Sequence, residues 1–147
     1  MRLRDVLDPQ RHAACTAAAD GTVAAAVLSM TTGGRSACVV IDNGSPVGIF
    51  TAGDLIRCLP KGGSLGGIPV RSVMSENPLV AGVDKPAMVA ADDMMRRGIH
   101  HLPVMDGGVV VGVLRLADIA AAVIDALQGE MKTLEGYIAD MHAARDD

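Results

Sequence analysis

Apolar residues run without a break through Val47-Gly48-Ile49-Phe50 and then recur at Leu55, Ile56 and Leu59. A continuous apolar run that gives way to helical spacing predicts a short buried strand turning sharply into a helix. The turn falls at Thr51-Ala52-Gly53-Asp54. The same pattern is written again at Val111-Gly112-Val113-Leu114, then Arg115-Leu116-Ala117-Asp118, before Ile119 and Val123. Val47 and Val111 lie 64 positions apart, as do Asp54 and Asp118. That offset also carries Asp20 onto Asp84, Met30 onto Met94, Gly34 onto Gly98, Asp42 onto Asp106 and Gly44 onto Gly108. The chain is therefore an internal repeat, two similar units in tandem.

Each unit reads as β-α-β-β-α, so the fold class is α/β (α+β). Residues 1–60 form the first unit, 61–69 a Gly/Pro linker, 70–127 the second unit, and 128–147 a helical extension. In the first unit Cys15 to Ala18 predicts a short strand, and Asp20-Gly21-Thr22 supplies N-cap chemistry for a helix through Val23, Val27 and Met30. Gly33-Gly34 ends it. Ala37 to Ile41, the turn Asp42-Asn43-Gly44-Ser45 and Val47 to Phe50 predict a hairpin. In the second unit Val80 to Val83 is the short strand, and Asp84 is read as the cap of a helix with Pro86 in its first turn. His101 to Met105, Asp106-Gly107-Gly108 and Val109 to Leu114 repeat the hairpin. The last helix runs on from Ala117 to about His142. Along it Ile124, Leu127, Met131, Leu134, Ile138 and Met141 alternate spacings of three and four, a heptad seam that calls for a partner helix. Packing against a second subunit is the favoured expectation, and folding back on its own domain is the alternative.

Composition narrows the function classes. Half of the 147 residues are apolar, yet Phe50 and Tyr137 are the only aromatic ones, so the core is built from aliphatic residues and some of the nine methionines. The formal charge of −4 and the absence of a Lys/Arg run argue against nucleic acid as a partner. No window is apolar enough for a signal peptide or membrane span, so a soluble, cytoplasmic protein is expected. Cys15, Cys38 and Cys58 are odd in number and lack CxxC spacing, against a disulfide framework or a zinc site. No nucleophile, phosphate-loop or metalloprotease motif is present, so an enzyme is not expected.

The residues Val47-Gly48-Ile49-Phe50-Thr51-x-x-Asp54, Gly98-Ile99-His100-His101-Leu102-Pro103-Val104, and Val111-Gly112-Val113 with Asp118 resemble those of a tandem pair of cystathionine β-synthase (CBS) domains, the Bateman module. The resemblance covers Arg2 to about Leu127. The tail from Leu127 also resembles small stand-alone bacterial members that end in a helix. It implies two repeats packed as a pseudo-twofold pair, with two clefts that bind AMP, ADP, ATP, NAD(H) or S-adenosylmethionine, AMP or ATP first among them. It further implies a homodimer, a non-catalytic sensor acting on a protein partner or on its own assembly, and no required cofactor. On this resemblance Asp54 and Asp118 hold ribose hydroxyls, and Thr51 holds a ribose or phosphate oxygen. Cys15, Thr16 and Ala17, with Leu79, Val80 and Ala81, are the strand segments that read adenine. His100 and His101 approach phosphates.

Other readings of the same residues stay open. Thr51 and Asp54 also have capping-box spacing, which needs no ligand. Arg115 stands where the first unit has Thr51, and either clamps a phosphate or fills the second cleft. Gly53 stands where many relatives place a basic residue. Neighbouring strand residues point to opposite faces, so only one of His100 and His101 is expected to serve a given ligand, and a metal shared by them is disfavoured. The competing function is a structural dimerisation module with vestigial clefts. A redox regulator using Cys58 ranks last.

Overall fold

The first helix of the chain packs on the second repeat rather than on the one that follows it. In the computed structural model, which describes residues 1–59 and 64–146, helix α1 (Leu3–Val6) lies against the second unit. Leu3 is fully buried in that unit's core. Its amide donates to the Lys85 carbonyl at 2.9 Å, and the Arg4 amide donates to the Val83 carbonyl at 2.8 Å. The chain then returns to build the first unit from β1 (Thr16–Ala18), α2 (Val23–Gly33), β2 (Ala37–Asp42), β3 (Ser45–Thr51) and α3 (Ala52–Cys58).

The approach to the second unit makes the reciprocal crossing. Short 3₁₀ turns at Leu65–Gly67 and Val70–Ser72 pack on the first unit. Val70 is fully buried there and its amide donates to the Gly21 carbonyl at 3.1 Å. Leu65 and Ile68, whose setting reads as a linker by composition, also pack on this core, while residues 60–63 lie outside the described residues. The second unit continues through β4 (Ser75–Glu76), β5 (Ala81–Gly82), α4 (Ala87–Arg97), β6 (His101–Asp106), β7 (Val109–Arg115) and α5 (Leu116–Asp146).

One sheet has the order β1-β2-β3-β4 and the other β5-β6-β7. In each, the first pair is parallel and the hairpin antiparallel. β4 closes the edge of β3 through Gly48 and Ile49. The equivalent place beside β7 is taken by the leading segment, where the Val113 amide donates to the His12 carbonyl at 2.9 Å. Gly48 and Gly112 recur because these crossings leave no room for a side chain. A Cβ on Gly112 would sit 2.8 Å from the His12 carbonyl oxygen, and one on Gly48 would run into the Met74 thioether.

Local chemistry explains most of the element boundaries. Asn43 and Gly44 (φ 48° and 80°), like Gly107 and Gly108 (57° and 82°), supply the two positive φ values of a tight hairpin turn. Thr22 caps α2 by accepting from the Ala25 amide at 3.2 Å. Asp84 does not cap α4. Pro86 occupies the cap position, and the Ala87 amide donates instead to the Met1 carbonyl at 2.9 Å. Asp84 is drawn to the crossing segment, accepting from Arg4 Nε at 2.9 Å.

The 31 residues of α5 span about 46 Å at 1.5 Å per residue. Residues 127–145 are all exposed, so the tail does not fold back on its own domain. Leu134 is 60% exposed. None of the described helices is long and apolar enough to cross a membrane.

Candidate functional site

Two clefts open between the units, and they differ in size and lining. The larger, about 600 Å³, lies within the range of small-molecule pockets. The turn from β3 into α3 contributes Thr51, Gly53 and Arg57, and the facing wall carries Leu79, Ile99, His100 and His101. The smaller, about 110 Å³, is bounded by Arg115 and Asp118 at the turn from β7 into α5, and by Cys15, Arg35 and Ser36 opposite.

At the larger cleft the capping box is formed. Asp54 Oδ2 accepts from the Thr51 amide at 2.8 Å and from Thr51 Oγ1 at 3.2 Å. The Asp54 amide in turn donates to Thr51 Oγ1 at 3.4 Å. Asp54 Oδ1 is paired with Arg57. The carboxylate is buried and lies behind the cleft wall, whereas Thr51 and Arg57 line the cleft itself. A Cβ on Gly53 would sit 3.5 Å from Arg57 Nη1, so this guanidinium lies over the glycine. Arg57 thus brings a cation to the place where Gly53 lacks one. The sequence signal was the spacing of one helical turn between them.

At the smaller cleft Arg115 fills the space rather than leaving it open. Its amide donates to Asp118 Oδ2 at 2.9 Å, repeating the cap made by Thr51. Its side chain then covers both carboxylate oxygens, Nε to Oδ2 at 3.2 Å and Nη2 to Oδ1 at 3.0 Å. Burial alone would push the Asp118 carboxyl up, but the hydrogen bonds and charge of Arg115 outweigh it and hold the group below its ordinary value. His12 Nε2 lies 3.9 Å from Asp118 Oδ2. Arg35 ties the leading segment down by donating to the Gln10 carbonyl at 2.9 Å and to the Arg11 carbonyl.

Both histidines line the larger cleft. Strand alternation does not separate them, because β6 begins at His101 and His100 precedes it. His101 also lines the smaller cleft, where its Nε2 is 3.1 Å from Ser36 Oγ. Ser36 and His101 are therefore a wall common to both clefts. Of the expected adenine-reading segments, Leu79 reaches the larger cleft and Cys15 the smaller. Ala17, Val80 and Ala81 line neither: Ala17 packs on the first core, Ala81 is buried in the second, and Val80 is exposed. Thr16 faces a shallow depression beside Cys15.

Cys58 is buried, its thiol donating to the Asp54 carbonyl at 3.1 Å, so it is no exposed redox group. Cys15 and Cys38 are neighbours across β1 and β2, with sulfurs 3.3 Å apart. Burial, then hydrogen bonding to Cys15, pushes the Cys38 thiol up.

Burial, then repulsion from His100 and Arg115, holds the His101 imidazole below its ordinary value of 6.5, against a smaller pull from Asp118. The unfolded chain therefore binds this proton more readily than the folded one. Stability from this group is present above about pH 6.5 and declines as pH falls through that value. Chemical denaturation of the parent and of His101→Gln at pH 7.5 and 5.5 should show a smaller acid-side loss in the variant. Equal losses would assign the effect to other groups.

Two repeats with interlaced leading segments, and two clefts each marked by an aspartate at a strand-to-helix turn, define a paired cleft-forming module. The CBS domain model matches residues 4–61 and 70–125, and the chain belongs to the CBS-domain family. It is 36% identical over 104 residues to the meiotically up-regulated gene 70 protein of Schizosaccharomyces pombe, covering 69% of this chain and 14% of that one. It is 31% identical over 125 residues to the mitochondrial CBS domain-containing protein CBSX3 of Arabidopsis thaliana, covering 81% and 61%. The chain thus spans less than two thirds of the length of these relatives. Among solved structures, it resembles the CBS domain protein PAE2072 from Pyrobaculum aerophilum complexed with AMP (TM-score 0.70, 22% identity, 80% and 89% coverage). It also resembles the CBS domain pair of protein MJ0100 in complex with 5′-methylthioadenosine and S-adenosyl-L-methionine (TM-score 0.72, 23% identity, 86% and 98% coverage).

Proposed function

We propose that this protein is a non-catalytic sensor of an adenosine nucleotide, which it binds in the larger inter-repeat cleft. The observation that carries this reading is a cavity of about 600 Å³ whose lining combines apolar residues, Ile49, Pro78, Leu79 and Ile99, with polar and charged ones, Thr51, Arg57, Glu76 and His100. A base and a phosphate need both kinds of surface in one cavity. AMP is the ligand that suits the few cations present; ATP, NAD(H) and S-adenosylmethionine complete the class. The sensor is a cytoplasmic homodimer that signals through a protein partner or through its own assembly, with no role for nucleic acid or membrane.

Asp54 and Arg57 suggest how binding proceeds. The Arg57 side chain is 71% exposed but its partner Asp54 only 6%, so the guanidinium is free to swing away only where another donor takes its place on the buried carboxylate. Turning the guanidinium toward a ligand phosphate uncovers Asp54 Oδ1, which then accepts from ribose hydroxyls. Asp54→Asn keeps an acceptor for the Thr51 amide but removes the charge. It should weaken AMP by about ten- to a hundred-fold, the worth of a charge-assisted hydrogen bond. Arg57→Ala should weaken AMP more than adenosine. Titration calorimetry measures both. Unchanged affinities in Asp54→Asn would leave that residue with its capping role alone.

A second reading is favoured by one observation, the filling of the smaller cleft by Arg115. Were the larger cleft equally idle, the protein would be a structural dimerisation module. Calorimetry that detects none of the four ligand classes at millimolar concentration selects this reading over the first.

A further inference from the structure

Cys15 and Cys38 stand at the same level of neighbouring strands. β1 runs parallel to β2 with Thr16 opposite Val39, and the Val39 amide donates to the Cys15 carbonyl at 2.8 Å. Carrying that register back by one residue sets Cys15 beside Cys38, with both side chains on one face of the sheet. Neighbouring strands lie about 4.8 Å apart, inside the roughly 4.4–6.8 Å between Cα atoms that a disulfide spans. The two sulfurs already touch, 3.3 Å apart. Their access differs. Cys15 is half-buried and lines both the smaller cleft and the shallow depression beside α2, whereas Cys38 has no exposed surface. Cys58 is buried elsewhere, its thiol on the Asp54 carbonyl.

We propose that Cys15 and Cys38 are a site of reversible oxidation, forming a disulfide within one chain at the expense of a hydroperoxide. The difference in access sets the order of steps. The Cys15 sulfur attacks one oxygen of hydrogen peroxide, the O–O bond breaks, and water leaves with a sulfenic acid on Cys15. The Cys38 sulfur then attacks the Cys15 sulfur, and the S–O bond breaks as a second water departs with the Cys38 proton. The two thiols are oxidised and the peroxide is reduced. Burial, then the hydrogen bond and charge of Cys15, hold the Cys38 thiol up. The last two causes vanish once Cys15 is oxidised, so Cys38 is inert before that step and gives up its proton more readily after it. Where thiols are kept reduced, such a bond is transient and redox-sensing. It draws the Cys15 side chain from the cleft wall toward the first core, where Cys38 already packs.

The test treats the whole reduced chain with hydrogen peroxide, then unfolds it and alkylates the remaining thiols with iodoacetamide. The untreated chain alkylates at all three cysteines. The expected mass spectrum of the treated chain shows alkylation at Cys58 alone, and peptide mapping joins Cys15 to Cys38. Dithiothreitol should restore all three thiols. Cys15→Ser should abolish the peroxide-dependent loss of the Cys38 thiol, and Cys38→Ala should let Cys15 advance to sulfinic acid. The peptide map of the parent decides the matter even where a core variant folds poorly. Three alkylated cysteines after treatment, or an oxidised Cys15 beside a free Cys38 in the parent, overturn the proposal. So does a cross-link that joins two chains or involves Cys58.

Discussion

Leu3→Ala should lower the stability of the whole chain by about 2–5 kcal/mol. Leu3 has no exposed surface and packs in the second core with Met94, Leu102, Leu114 and Ile119. The amides of Leu3 and Arg4 are spent on Lys85 and Val83, and the Met1 carbonyl takes the first amide of α4. Truncating the side chain leaves a cavity between elements that are far apart in sequence. Met1→Ala is the control, since Met1 is 52% exposed and surface changes fall within about 0.5 kcal/mol. Urea unfolding of the three proteins measures both effects. An unchanged midpoint for Leu3→Ala would mean that the leading segment frays in solution and the second core closes without it.

The crossing behind this prediction was not legible in the sequence, for a definite reason. Leu3 and Val70 play equivalent parts, yet they lie 67 positions apart, while their acceptors Lys85 and Gly21 keep the 64-residue offset. The repeat slips by three residues just where the leading segments depart, so aligning the units does not reveal the exchange. What the sequence did display was local. Asn43-Gly44 and Gly107-Gly108 make hairpins, Thr22 caps a helix, and Gly34 and Gly98 end helices in the left-handed region, all from residues a few positions apart. Asp84 shows the limit of such reading, because a contact 80 residues away outweighs the local cap.

The site divides in the same way. Thr51 with Asp54, and Arg115 with Asp118, were visible as strand-to-helix turns with polar chemistry. Whether Arg115 clamps or fills depends on a side-chain path no spacing encodes, and it lies along Asp118. Arg57, Ser36 and Arg35 were missed. Arg57 was within reach of a helical-turn argument from Gly53, but Ser36 meets His101 only because the two units face each other. The juxtaposition of Cys15 and Cys38 likewise needs the register of two parallel strands, with Thr16 opposite Val39.

Leu134→Asp should shift the protein from dimer to monomer at micromolar concentration. The prediction rests on the proposed homodimer and on the surface of α5. Ile124, Leu127, Met131, Leu134, Ile138 and Met141 form one stripe, and each is at least half exposed in the single chain. Several large apolar residues in line along an extended helix are a surface that water disfavours, and a second copy of the same helix offers the complementary one. A twofold interface uses every residue twice. Burying a leucine contributes about 1.5–3 kcal/mol, so losing it from both protomers removes roughly 3–6 kcal/mol, at least a hundred-fold in dissociation constant. A carboxylate at the seam adds its own desolvation cost and faces its symmetry mate. Arg145→Asp, beyond the last apolar residue of the stripe, should leave assembly unchanged. Sedimentation velocity on the parent and both variants reads the outcome directly. A monomeric parent, or a Leu134→Asp variant that stays dimeric with undiminished affinity, would remove α5 from the interface.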